Sequence, residues 1–447
     1  MAFDSDVLLE RLQALTGGVG PARWLVAFSG GIDSSVLLHA LASASDGTPV
    51  VAIHIDHGLH PDSAAWSQHA ETFSTALGVE FITRAVSLDP KLPQGPEAAA
   101  RDARYQAFYE LVEDDDCLLS AHHERDQAET LLLNLMRGSG PAGLAGIGVT
   151  QSFGRGQLLR PMLGVSGDDI AAYASAEGLT WIEDPSNADT RFDRNFIRRE
   201  VMPLLRTRWP AVDNRLMQSA SLLEESSQLL RDLADIDIEA CGDSHSMSLE
   251  RVSQLSEPRQ RNLLRRAVQR RGLPIPPATR LYEAVTALIP ARPDAQPVVR
   301  WPGAEIRRYQ DRIFVQAALG PRPDGSETRP IAEGDLVDLG GGLGRLRLVR
   351  HGGEGLDPDI VGTGLEIRFR QGGESLRIAA EGSTRKLKKL LQEAEVLPWM
   401  RDRLPLLYAG HTLVAVADLW VSADHIATGG VVIDWQEKPA IKCPHSL

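Results

Sequence analysis

Two kinds of hydrophobic pattern divide this chain. Over the first 180 residues or so, short apolar runs rich in β-branched residues (RWLVAFS, PVVAIHI, GVEFITRAV, DCLLSAHH) alternate with longer segments of helical character (SSVLLHALAS, SAAWSQHAETFSTALG, EAAARDARYQAFYELVED). A brief apolar run ending in polar residues or glycine suits a strand buried on both faces, and a 3.6-residue period suits a helix lying on a sheet. Strand, helix, strand, helix predicts an α/β fold with a doubly wound parallel sheet, whose ligands bind at the carboxyl ends of the strands. From about Arg215 to Arg271 the pattern turns wholly helical, and helical character continues through ATRLYEAVTALI. Residues 318–335, rich in Pro, Gly and charge, read as a linker or exposed loop. Gly-punctuated strands (GRLRLVR, LEIRFR), one basic helix (STRKLKKLLQEAEV) and the apolar run PLLYAGHTLVAVADLWVS then predict a small α+β C-terminal domain. The expected division is a catalytic domain over 1–212, a helical domain over 213–320 and the α+β domain over 336–447.

Length agrees, because 447 residues exceed what one compact core holds. No stretch approaches the roughly 18 continuous apolar residues of a membrane span. The N-terminal MAFDSDVLLERLQALTGG lacks a basic leader and reads as an amphipathic helix, not a signal peptide. Cys117, Cys241 and Cys443 are scattered, which excludes a disulfide framework, a zinc ribbon and a CxxC redox pair. A cytoplasmic protein is expected, with no membrane association and no obligate protein partner. The net charge of −13 argues against a nucleic-acid binder only at long range, since binding needs a local basic surface. Three segments offer one: 191–215 with seven arginines, 259–271 with six, and Thr384–Leu391 with four cations. Each is equally consistent with a solvated helix face.

The most informative segment is Ser29-Gly30-Gly31-Ile32-Asp33-Ser34, set between the strand LVAF and the helix SSVLLHAL. Adjacent glycines let the backbone approach an anion, and a helix beginning near Ser34 adds unpaired N–H groups and the positive end of its dipole. Ser29 and Ser34 supply hydroxyl donors. Asp33 beside a polyphosphate requires a cation between them, and Mg²⁺ is the expected bridge. The GK[ST] ending of a Walker A loop is absent. SGGxDS is instead the signature of the PP-loop ATP pyrophosphatases, which split ATP into AMP and pyrophosphate.

Further polar motifs close the next strands: His54-Ile55-Asp56-His57-Gly58, then Glu97, Arg101, Arg104 and Tyr105 in EAAARDARY, then Ala121-His122-His123-Glu124-Arg125-Asp126-Gln127-Ala128-Glu129-Thr130. Downstream come RGSG from Arg137, RPML from Arg160, Trp181-Ile182-Glu183-Asp184-Pro185-Ser186-Asn187, then Arg194-Asn195 and Arg198. In this order after SGGxDS, and followed by RQGGES, RKLKKLLQE and LPWMRDRLPLL, these motifs resemble those of the tRNA(Ile)-lysidine synthetases. The resemblance spans nearly the whole chain, more weakly over 215–360, and implies a Rossmann-like PP-loop fold.

It implies, further, attachment of free L-lysine to the cytidine at the first anticodon position of a tRNA(Ile) with a CAU anticodon. ATP adenylates the 2-keto oxygen, and the lysine ε-amine then displaces AMP. Ser29 to Ser34, His54 and Asn187 are expected to hold ATP, and Asp33 the metal. Arg104 (or Arg101) and Arg198 are candidates for phosphate or nucleotide. Asp126 and Glu129, three apart on a helix starting near Asp126, share a face suited to a cationic amine. An ammonium with a pKa near 10.4 must lose a proton before attack, and either carboxylate, or His122, is a candidate acceptor. Two positions depart from the family pattern: Arg125 stands where the first of two acids is usual, and His60 where arginine is usual. A tRNA 2-thiolase shares the first step but relies on cysteine chemistry. A non-catalytic tRNA-binding relic is the remaining alternative.

Overall fold

The computed structural model describes residues 3–44, 47–56, 58, 60–86, 96–292 and 295–442, without the side chains of 96–98 and 186. His57, the side chains of Glu97 and Ser186, and Cys443 lie outside the described residues. The chain divides into two compact units, residues 1–229 and 230–447.

In the first unit the elements follow in the predicted alternation: α1 (Ser5–Thr16), β1 (Trp24–Ala27), α2 (Ile32–Ser43), β2 (Val50–Asp56), α3 (Ser63–Ala76), β3 (Glu80–Ala85), α4 (Pro96–Leu111), β4 (Cys117–Leu119) and α5 (Glu124–Met136). After the short α6 (Pro141–Leu144) come the hairpin β5 (Thr150–Phe153) and β6 (Gly156–Leu159), then α7 (Gly167–Ala176). The sheet order is β3-β2-β1-β4-β6-β5. All neighbouring pairs are parallel except β5 with β6. The β5–β6 hairpin is an addition to the elements predicted from the pattern.

The apolar runs are continuous because both sheet faces are buried. On one side Trp24, Val26, Ala52, Leu119 and Leu159 pack with Leu8 and Leu12 of α1, Val36 to Leu38 of α2 and Tyr173 of α7. On the other, Leu25, Val51, Ile53, Leu118 and Leu158 pack with Phe108 of α4 and with Phe153. The chain leaves β1 toward β2 on one side, while β4 pairs on the other, Trp24 opposite Cys117 and Val26 opposite Leu119. That reversal opens a crevice at the carboxyl ends of β1 and β4, the usual ligand position of an open α/β sheet. Residues 28–34 and 120–126 meet there.

Residues 193–208 are helical throughout, as α8 (Asp193–Phe196), a π-helical turn (Ile197–Val201) and α9 (Met202–Arg208). The long α10 (Val212–Cys241) follows.

The second unit holds β7 (Ser246–Ser248), α11 (Leu249–Ser253), α12 (Glu257–Arg270), α13 (Ala278–Glu283), β8 (Val298–Trp301), β9 (Ala304–Tyr309) and β10 (Arg312–Ala317). The helical stretch therefore also carries an antiparallel sheet, β7-β10-β9-β8. Leu263, Leu264, Ala267 and Val268 of α12 pack on Val299, Ile306 and Ile313 of that sheet. Beyond residue 328, two five-stranded sheets enclose a separate core that includes Leu346, Leu348, Leu407, Val414 and Ile433. The basic helix is shorter than its pattern, Leu387–Glu393, with Leu387, Leu390 and Leu391 buried.

Candidate active site

The loop after β1 is fixed by its own hydroxyls and by a distant segment. Ser29 Oγ lies 3.0 Å from Ser34 Oγ and accepts from Gly31 N–H at 3.4 Å, while Ser34 Oγ donates to Gly31 O at 3.0 Å. Ile182 N–H donates to Gly30 O at 2.8 Å, tying the WIEDPSN segment to the loop. Gly30 has φ of +81°, and an added Cβ there would lie 2.7 Å from Ile182 Cδ1. The positive φ favours glycine, and any Cβ there would have to push aside the tip of the Ile182 side chain. The N-terminus of α2 follows with no side-chain cap, so its N–H groups are open to an anion.

A cavity of about 450 Å³ opens over this loop. Ser29, Asp33 and Ser34 line it, as do His54, Asp56, Arg104, His122, Asp126 and Asp184. His54 Nδ1 donates to Phe28 O at 2.9 Å, and burial lowers its pKa, so the ring is neutral. His122 Nδ1 lies 2.6 Å from Ser120 Oγ, and burial pushes its pKa down to about 4. Burial lowers the Arg104 pKa from its ordinary value, and the charges of Arg101 and Arg194 lower it further, but the guanidinium stays charged. No hydrogen bond or ion pair among the described residues engages Arg104, so its guanidinium lines the cavity without a counter-ion from them. Arg101 is exposed and sits 5.4 Å from the Tyr105 ring.

Asp33 is 40% exposed, and burial of the rest raises its pKa. His123 Nε2 approaches Asp33 Oδ1 at 4.0 Å, and His123 Nδ1 lies 2.6 Å from Asp126 Oδ2. The helix α5 begins at Glu124, close to the expected start, with His123 as its N-cap and Asp126 in its first turn. Asp126 reaches back to the His123 N–H at 3.0 Å. Burial alone would raise the Asp126 pKa, but the His123 bond and the nearby cations hold it well below the usual carboxylate range.

Asp126 and Glu129 do share a face, and two arginines cover it. Arg194 donates from Nη2 to Asp126 Oδ1 at 2.7 Å and from Nε to Glu129 Oε2 at 3.0 Å. Arg198 donates from Nε to Glu129 Oε1 at 2.6 Å and from Nη2 to Glu129 Oε2 at 2.8 Å. Arg198 and Glu129 do not line the cavity themselves. Asn187, expected at the nucleotide, is exposed on a 3-10 turn and is not among the residues lining the cavity, whereas Asp184, just before that turn, lines it. Gly30 and Gly31 form the loop between Ser29 and α2, which begins at Ile32, and none of these three lines the cavity.

Both departures from the family pattern are accounted for locally. Arg125 turns to α7, where Nη2 pairs with Asp168 Oδ1 at 2.6 Å. His60 lines the cavity and stacks on Trp66, ring centroids 4.7 Å apart and planes 14° apart.

The basic runs are largely spent inside the molecule. In 259–271, Arg259 pairs with Asp237, Arg266 and Arg270 pair with Asp235, Arg261 lies 3.6 Å from Glu257, and Arg271 donates to Val315 O. Lys386 and Lys388 are exposed and form no ion pair among the described residues, whereas Arg385 pairs with Glu393.

Comparison with known proteins agrees with this geometry. Residues 5–205 match a PP-loop domain family, 247–314 a TilS substrate binding domain and 365–435 a TilS substrate C-terminal domain. The tRNA(Ile)-lysidine synthase of Alkalilimnicola ehrlichii is 42% identical, over 96% of this chain and 97% of its own. That of Coxiella burnetii is 35% identical, over 96% and 95%. With a phosphate loop at the sheet's switch point and full-length relatives at this identity, the chain belongs to the tRNA(Ile)-lysidine synthase family.

Proposed function

We propose that the chain ligates free L-lysine to the cytidine at the first anticodon position of a CAU-anticodon tRNA(Ile), converting ATP to AMP and pyrophosphate. One observation carries the reading: the uncapped amino end of α2, the carboxylate of Asp33 and the guanidinium of Arg104, unpaired among the described residues, belong to one cavity. Loop N–H groups and the two serines bind phosphate oxygens, and Arg104 neutralises charge that shifts toward the leaving pyrophosphate.

The donor set fits Mg²⁺. Among the described residues no group of three His, Cys, Asp or Glu side chains cages a metal, whereas one partly exposed carboxylate beside a phosphate loop suits an ion that shares phosphate oxygens. Asp33 would hold Mg²⁺ there, and the ion would supply positive charge against the carboxylate and the polyphosphate.

The cytidine 2-keto oxygen attacks the α-phosphate of ATP, and pyrophosphate leaves. The ε-amine then forms the carbon–nitrogen bond at the activated carbon, and AMP departs with that oxygen. Asp126 and Glu129 receive the amine's positive charge. His122, neutral and lining the cavity, stands beside Asp126 and Glu129 as a candidate for the proton that the amine gives up. The adenylating work lies in 1–212, and 213–320 and 336–447 grip the tRNA.

Incorporation of radiolabelled lysine into a tRNA(Ile) transcript tests the reading, with Asp33→Ala as the inactive control. Sulfur transfer in place of lysine incorporation would favour the thiolase, and no turnover would favour the relic.

A further inference from the structure

The carboxylate face suited to a cationic amine already holds a cation. Arg194 places Nη2 on Asp126 and Nε on Glu129, bridging both side chains as a single ammonium between them would. Asp126 is 12% and Glu129 2% exposed, so both draw their counter-charge from protein cations and not from solvent. A lysine ε-ammonium therefore enters only as Arg194 moves away: one cation replaces another.

Two features make such an exchange available. Arg194 lies close enough to Arg104 for their charges to repel, and Arg104 lines the cavity. Arg194 does not itself line the cavity, but a polyphosphate on the loop would present oxygens on the side of Arg104 that Arg194 faces electrostatically. Arg194 also sits in the helical stretch that passes into the π-turn Ile197–Val201. That wider turn is less tightly bonded than an α-helix and is common where helices serve function. Arg198 pairs bidentately with Glu129 and also reaches Asp126 Oδ1 from Nη2 at 3.3 Å, so both carboxylates keep a cation while Arg194 shifts.

We propose that Arg194 is the resident counter-ion of the amino-acid subsite and yields it when nucleotide binds, so that lysine binding follows ATP binding. The proposal rests on Asp126 and Glu129 being the lysine subsite. The consequence is chemical as well as kinetic: lysine is admitted only to an enzyme already holding the nucleotide that activates the cytidine.

Calorimetric titration of the full chain with L-lysine, with and without Mg²⁺ and α,β-methylene-ATP, tests it. For the unaltered chain, nucleotide should tighten lysine binding by about tenfold or more, an ordinary coupling between two sites. In Arg194→Gln, lysine should bind without nucleotide about as tightly as the unaltered chain binds it with nucleotide, and the nucleotide effect should shrink below about threefold. Equal lysine affinity of the unaltered chain in both conditions overturns the proposal whether or not the variant folds, and so does a full nucleotide effect in Arg194→Gln. Glu129→Gln separates the two layers. Lysine binding that survives it undiminished overturns the subsite reading, and binding that is lost but was indifferent to nucleotide overturns only the role of Arg194.

Discussion

His123 stands between two carboxylates, with Nδ1 2.6 Å from Asp126 Oδ2 and Nε2 4.0 Å from Asp33 Oδ1. Burial disfavours the imidazolium, yet the Asp126 bond and the field of Asp33 outweigh it and raise the His123 pKa. The ring thus couples the phosphate-loop acid to the start of α5. His123→Ala should lower turnover by about 10- to 100-fold, the usual cost of losing a group that orients a metal-binding side chain. It should also raise the Mg²⁺ concentration giving half-maximal pyrophosphate release. An unchanged Mg²⁺ dependence would disconnect His123 from Asp33.

Gly30→Ala meets two obstacles, a positive φ and Ile182 Cδ1 2.7 Å from the new Cβ. We expect a loss of about 1–2 kcal/mol from the backbone alone, read by thermal unfolding, with loss of pyrophosphate release. Adding Ile182→Ala should recover part of the stability and little of the activity, because the loop backbone stays displaced.

Arg125 and Asp168 form an exposed pair, with side chains 41% and 92% accessible. Such pairs contribute about 0–1 kcal/mol. Arg125→Ala should leave unfolding temperature and turnover nearly unchanged. A drop of about 100-fold in turnover, roughly 2.7 kcal/mol of barrier, would show that Arg125 acts in the site.

His122 makes the fold acid-sensitive. Its pKa is about 4 in the folded chain against 6.5 ordinarily. Between those values the unfolded chain takes up a proton that the folded chain refuses, so stability falls as pH drops from 6.5 toward 4 and levels off below. His122→Asn should flatten that limb in urea titrations across the window. An unaltered slope would mean that other groups set it.

Lys386 and Lys388, like Lys389, are exposed and free of ion pairs among the described residues, which leaves them available to phosphate. Replacing both with Ala should weaken tRNA binding while leaving unfolding unchanged. The salt slope should fall by about one for each phosphate that is no longer neutralised. Asp235→Ala should do the opposite, lowering stability by freeing Arg266 and Arg270.

What could be read along the chain and what could not divide by sequence distance. The phosphate loop was legible because its glycines, serines and Asp33 are contiguous, and the parallel sheet because burial on both faces leaves continuous apolar runs. Arg194 escaped assignment because its partners, Asp126 and Glu129, lie 68 and 65 residues away. The 259–271 run suggested an RNA-facing surface because Asp235 and Asp237 sit on another helix, so nothing local marked the charges as paired. TQSF and GQLL were too short and polar to declare a hairpin. Asn187 sits within a short turn that begins at Pro185, and the course of that turn decides which neighbour faces the cavity.

Binding of ATP by the loop near residue 30, for a transfer that ends on lysine and tRNA, underlies every step proposed above. The most direct measurement is single-turnover release of pyrophosphate from γ-labelled ATP, quantified beside lysine incorporated into tRNA(Ile). We expect one pyrophosphate per lysine joined, both abolished by Asp33→Ala; lysine joined without pyrophosphate, or release that survives Asp33→Ala, would contradict it.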